Sequence, residues 1–267
     1  MKLLFVSVIL KYARGFIIMN YFWETVETIK EGVGFNYFDS LHITWILCFI
    51  LFTSVVSMIY RKSDTSKKDK IRKLFALLII LDEIFKQYGL ISHGNWIVDY
   101  LPLHLCSINI FIIAYHVFKP NKTIDNFLYA ICIPGALAAI LAPTWVELPL
   151  FNFMHIHSFT VHILLAAYPI VLVAGGDIVP DIKLVPKAII FTCILALPIF
   201  VVNLLLDTNF MFLMYASAGN PLLLFEELFG FHLLGVPVIE SAVVFVLYAP
   251  FYIYRAIKEK NTQRLSY

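Results

Sequence analysis

Read along the chain, the apolar positions fall into seven runs of about 18 to 22 residues, at 41–60, 74–91, 101–118, 127–143, 153–174, 185–206 and 233–254. A helix rises 1.5 Å per residue, so each run is long enough to cross roughly 30 Å of hydrocarbon. Backbone at that depth has no water to bond to, and helices satisfy it internally. The pattern therefore predicts an all-α membrane protein, a bundle of about seven transmembrane helices. Residues 207–230, between the sixth and seventh runs, are too polar and Gly/Pro-broken for a clean span and too apolar for a solvent loop. They predict a broken or re-entrant segment.

The polar segments between the runs alternate in charge. Residues 61–73 carry seven cations and two acids, and 119–125, 175–187 and the tail from 255 follow on the same side. The segments 24–40, 92–100 and 144–152, with Glu226 and Glu227, are poor in cations. Positive charge is retained on the cytoplasmic side, so the pattern predicts the N-terminus out and the C-terminus in. The chain divides into an N-terminal interfacial segment over 1–40, a seven-helix membrane domain over 41–254 and a basic cytoplasmic tail over 255–267. Lys11 and Arg14 interrupt the first apolar stretch, and Met19 opens a plausible shorter chain.

Composition excludes a single water-soluble core. The chain has 267 residues, 61% hydrophobic and 14% charged, against roughly 45–50% and 25% in soluble domains. The net charge of +2 gives no basic face for nucleic acid. Cys48, Cys106, Cys132 and Cys193 all lie in apolar runs without paired spacing, which argues against a disulfide framework or a Cys-rich zinc site. The expected location is the cell membrane, as a multi-pass protein.

Ionisable groups within a bilayer cost roughly 2.5–3.5 kcal/mol each on insertion scales, so each is a candidate site or buried pair. On the expected topology seven of the eight histidines lie in the outer half, all but His116. Glu83 and Lys86 lie in the middle to outer part of the second run. Asp82 and Glu83 point about 100° apart, and Lys86 is spaced to pair with either. In the third run, YLPLHLCSINIF, Pro102 belongs in the first helical turn, and His104 and Cys106 point to nearly opposite faces. The base for a Cys106 nucleophile must then come from another helix. The fifth run, FMHIHSFTVHILL, supplies His155 and His162 on one face and His157 on another. Asn109, Asn203 and Asn209 supply donors at the outer ends. A zinc site is the competing use of these groups, but no HExxH pair is present.

YLPLHLCSINIF, with the Asp-Glu pair one run earlier, IPGALAAILAP one run later, the histidine-bearing fifth run and VVNLLLDTNFMFL, resembles the YwaF-like family of bacterial integral membrane proteins. The resemblance extends from about Tyr21 to near the end of the chain. Animal relatives of that family are multi-pass acyltransferases acting on ether phospholipids, with a cysteine proposed as catalytic. The resemblance implies Cys106 as the corresponding residue.

Two classes of function follow. The first is a membrane-embedded lipid acyltransferase or hydrolase acting from the outer half of the bilayer. Cys106 and His162 form its catalytic pair, His104 and Glu83 orient them, and His157, Asn109, Asn203 and Asn209 bind substrate. Its partner is a membrane phospholipid or other acyl lipid, and it calls for no cofactor and no metal. The second is an ion- or proton-coupled transporter, or a non-catalytic receptor or assembly factor, using the same His/Glu cluster. The apolar inner halves of the third and sixth runs favour a one-sided site over a through-path.

Overall fold

The computed structural model describes residues 21–216 and 222–264, with side chains to residue 253. The first half of the expected interfacial segment, residues 1–20, and the end of the tail, 265–267, lie outside the described residues. Among the described residues the chain forms α1 (Ser40–Lys62), α2 (Thr65–Ser92), α3 (Leu105–Phe118), α4 (Lys122–Phe127), a π turn (Leu128–Cys132), α5 (Ile133–Leu141), α6 (Phe153–Gly175), α7 (Val185–Leu206), α8 (Leu223–Phe229) and α9 (Gly235–Arg264).

Short polar residues at the helix starts explain these boundaries. Asp39, Asp64, Asn121 and Asn152 each accept backbone N–H bonds from the first turn they precede, satisfying donors that a helix cannot pair itself. Arg61 and Lys62 close α1, where cations favour the helix dipole. Gly176, at φ 80°, ends α6 in the left-handed conformation that suits glycine. Pro102 was expected inside the first turn of the third span. Instead the chain makes a 3-10 turn at Val98–Tyr100, and α3 begins at Leu105 with His104 as its N-cap residue.

Among the described residues, six helical stretches are long and apolar enough to cross a membrane: Ser40–Lys62, Val98–Phe118, Lys122–Leu141, Phe153–Gly175, Ile182–Leu206 and His232–Ile253. The remaining expected span, the second at 74–91, lies within α2. At 28 residues α2 has ample length, but Asp82, Glu83 and Lys86 place three charges in its apolar window. The chain is thus a multi-pass, all-α membrane protein whose least apolar long helix carries buried charge.

The centre of the bundle is α6, packed against α1, α2, α5 and the π turn, while α3 packs on α2 and α4 on α7. Its core includes Phe75, Ile79, Ile113, Phe127, Leu165 and Tyr168. Large apolar side chains such as Leu51, Leu197, Leu205 and Phe245 face outward, as a lipid-facing surface requires. Pro169 has no N–H for the carbonyl of Leu165, four residues earlier, and the Cys132 thiol of the π turn donates to that oxygen at 3.5 Å. The Gly175 backbone lies so close to the Tyr60 ring that a Cβ there would overlap it.

Candidate functional site

α2 presents Asp82, Glu83, Lys86 and Gln87 on consecutive turns, the i, i+3 and i+4 spacing that lets side chains meet. Lys86 Nζ lies 2.7 Å from Glu83 Oε1, and both side chains are under 10% exposed. Gln87 Nε2 donates to the same Glu83 oxygen at 2.9 Å and to the Tyr100 carbonyl at 2.8 Å, tying α2 to the 3-10 turn before α3. Trp96 Nε1 in turn donates to Gln87 Oε1 at 3.1 Å.

From α6, His157 enters between the two carboxylates. Its Nδ1 is 3.0 Å from Asp82 Oδ2 and its Nε2 is 3.9 Å from Glu83 Oε2. Thr160, one turn on, donates to Asp82 Oδ1 at 3.2 Å. The Asp82–His157 approach has the distance of a hydrogen bond without its directionality. His157 Nδ1, Asp82 Oδ2 and Glu83 Oε2 are accordingly buried polar atoms lacking a hydrogen-bond partner. Such atoms cost about 1–3 kcal/mol each unless something satisfies them. Three of them lie together, on one imidazole and the two acids beside it.

The other histidines near this end of the bundle, where α1 begins, are used differently. His42 Nδ1 accepts from the Phe38 N–H at 2.9 Å, and its Nε2 lies 2.7 Å from the Ile140 carbonyl. His155 Nε2 accepts from Trp45 Nε1 at 2.9 Å, with Nδ1 3.0 Å from the Leu148 carbonyl. In each, one ring nitrogen accepts and the other donates, so the neutral ring is locked as a structural tie. His162 Nδ1 bonds the Ser158 carbonyl of its own helix at 2.6 Å, and its ring stacks on Trp145. His162 remains within electrostatic range of His157, Asp82 and Lys86.

Of the expected site residues, the structure brings Glu83 and His157 together. His104 accepts from the Met211 N–H at 3.3 Å, lies edge-on to Phe210 and senses the charge of Lys86. Asn109 is buried in α3 with an unpaired Oδ1. Asn203 spends its amide on Phe210 and Thr208, and Asn209 on Met214 and Tyr215, so both hold the turn after α7. Cys106 is partly buried in α3. Among the described residues no hydrogen bond joins it to a histidine, and no group of three or more His, Cys, Asp or Glu side chains is arranged to hold a metal ion.

The sequence reading left Asp82, Lys86, Gln87 and Thr160 out of the site. Gln87, four residues after Glu83, was legible from helix spacing, whereas Thr160 needed the α2–α6 contact. The end of the bundle expected to be the apolar inner half also carries a polar group. His116 is buried in α3, with Nε2 2.7 Å from Asp125 Oδ1 and Nδ1 2.8 Å from the Tyr168 hydroxyl.

Fold and site together define a multi-pass, all-α membrane protein with buried His–carboxylate clusters. A profile of the TMEM164 family matches residues 37–264, and the chain belongs to that family. No curated protein and no solved structure matches the chain at a significant level.

Proposed function

We propose that the chain is a membrane carrier that takes up a proton at His157, between Asp82 and Glu83. The observation that supports this reading is one buried imidazole with a carboxylate on each side. Charge counting gives it meaning. Two carboxylates against Lys86 leave one negative charge, and a proton on His157 cancels it. An uncompensated charge in a low-dielectric interior is costly, so the occupied site is electrically balanced and the empty one is not. The 3.0 Å between His157 Nδ1 and Asp82 Oδ2 leaves room for a proton and nothing larger. With the cation-rich loops held in the cytoplasm, this site faces the outer half of the bilayer.

Proton uptake by the protein in nanodiscs, followed with a pH-sensitive dye, tests it. Wild-type protein should take up a proton that His157→Gln does not, and Asp82→Asn and Glu83→Gln should each weaken that uptake. Equal uptake by wild type and His157→Gln overturns the reading.

Lipid acyl transfer is the second reading, favoured by the family's relation to proteins of lipid metabolism. There the Cys106 thiol attacks an acyl ester, its proton passes to His162 and on to the departing alcohol, and a thioester forms that a second alcohol or water resolves. Reconstituted protein assayed for acyl exchange decides it: Cys106→Ala should abolish exchange, and full retained exchange removes the cysteine from the mechanism.

A further inference from the structure

At the opposite end of the bundle, where α1 finishes at Lys62, a second polar group stands behind an open cleft. Tyr168 is fully buried in α6, and His116 of α3 is 2% exposed. The Tyr168 hydroxyl meets His116 Nδ1 at 2.8 Å, and His116 Nε2 meets Asp125 Oδ1 at 2.7 Å. The Asp125 side chain, 16% exposed, lines a cleft of about 460 Å³ with Lys122, Asn126, Asp177, Asp181 and Lys183. A phenol, an imidazole and a carboxylate thus form an unbroken hydrogen-bonded file from the protein centre to a charged, open cleft. Arg72, Tyr60 and Asp177 complete the charged surroundings of Tyr168. Lys68 balances Asp177 at 3.1 Å.

The two polar groups share α6. Tyr168 follows His157 by eleven residues, about 16 Å along the helix axis. Between them lie the buried apolar side chains Phe75, Ile79, Val161 and Leu165. The helical regularity of the bundle fails at the Tyr168 level on two neighbouring helices. Pro169 interrupts the α6 hydrogen-bond ladder, and the π turn Leu128–Cys132 supplies the Cys132 thiol that meets the freed Leu165 carbonyl. Helices bend at such places. A polar station at each end, an apolar barrier between them and a helix break beside that barrier are the parts of alternating access.

We infer that His116, Asp125 and Tyr168 form a second proton-exchange site, open to the cleft at the Lys62 end, and that a proton taken up at His157 leaves the membrane through it. The doubly protonated His116 ring passes its Nε2 proton to the Asp125 carboxylate and on to water in the cleft, while Nδ1 keeps its own proton and donates it to the Tyr168 oxygen, leaving a neutral imidazole. This inference rests on the proposed uptake at His157, and it is tested separately.

Proteoliposomes containing a pH-sensitive dye report proton flux under an imposed pH gradient, and the same dye reports proton uptake by the protein in nanodiscs. Wild-type protein should carry protons. His116→Gln and Asp125→Asn should each lower flux about a hundredfold, the scale of a lost proton-transfer group, while the uptake that depends on His157 stays in place. Asp125→Asn, at the cleft edge, guards against a folding defect at buried His116. Wild-type flux at the level of empty liposomes, or equal flux in both variants and wild type, overturns the second site. If uptake does not depend on His157, it is the uptake reading that falls.

Discussion

α6 and α7 are nearly the same length, both are long and apolar enough to cross a membrane, and each contains an internal proline. Yet 56% of the apolar window of α6 is buried within the protein, against 11% for α7. The more polar helix, with three histidines, Ser158 and Thr160, is the central one. The more apolar helix, with Asn203 in its last turn and few other hydrogen-bonding side chains, lies at the edge. In water the order would be reversed. Lipid solvates leucine as well as a protein core does, so outer helices gain nothing by turning apolar faces inward, whereas polar side chains must find one another.

Removing one member of the α2–α6 charge group breaks that contrast most severely. Lys86→Met leaves Asp82 and Glu83 buried without their cation, and the loss of one partner from a buried pair costs about 3–5 kcal/mol. Leu205→Ala on α7, at a side chain 77% exposed, should change stability by less than about 0.5 kcal/mol. Thermal unfolding of both variants in the same detergent measures the difference, and equal losses would place α7 in the interior.

Packing gives a second comparison of similar size. Phe159 on α6 is fully buried and stacks parallel to Trp45 at 4.9 Å between ring centres. Phe159→Ala should cost about 3–5 kcal/mol from lost transfer energy and the cavity left behind. Phe200 on α7 is 43% exposed, so the same substitution there should cost a small fraction of that. Comparable unfolding midpoints for the two variants would contradict the assignment of α6 as the centre.

The helix ends offer a smaller test. Asn152 caps α6 by accepting from the Met154 and His155 N–H groups, and its amide donates at 2.7 Å to the carbonyls of both Tyr21 and Glu24. Asn152→Ala removes the cap and takes a donor from both carbonyls, of which Tyr21's still accepts from the Glu24 N–H, for a loss of about 2 kcal/mol. Asn152→Asp keeps the cap acceptor but cannot donate, so it should recover only part of that stability. Full recovery would show that the clamp on residues 21–24 contributes nothing.

These cases mark where sequence stops being readable. The membrane helices follow from run length, and the Glu83–Lys86–Gln87 file follows from helical spacing, because both depend on residues close in the chain. What His157, His155 and His42 do depends on other helices. His157 meets two carboxylates of α2, whereas His155 and His42 are absorbed by Trp45 and by the carbonyls of Leu148 and Ile140. A histidine bound to a backbone carbonyl leaves no mark in composition or periodicity. The His116–Asp125 pair was nearer to hand: the two are nine residues apart across a turn that Asn121 begins. Reading each span by itself hid it.

The smallest effect lies at the start of α1, outside the membrane-spanning segments. Backbone N–H groups of His42 and Asn36 hold the Asp39 carboxyl below its ordinary range. A depressed folded pKa contributes stability that is present above the unfolded value, about 3.9, and is lost as pH falls through the folded one. Wild-type protein should therefore lose a little stability on acidification from about pH 5 towards pH 3 that Asp39→Asn, which still caps the helix, does not. Asp39 is solvent-accessible and its charge is screened, so the difference should be far smaller than that of Lys86→Met. Melting curves of the two proteins across that window supply the measurement. Parallel pH profiles would mean that the Asp39 bonds act equally well in protonated and ionised form, and that the α1 cap is set by geometry rather than by charge.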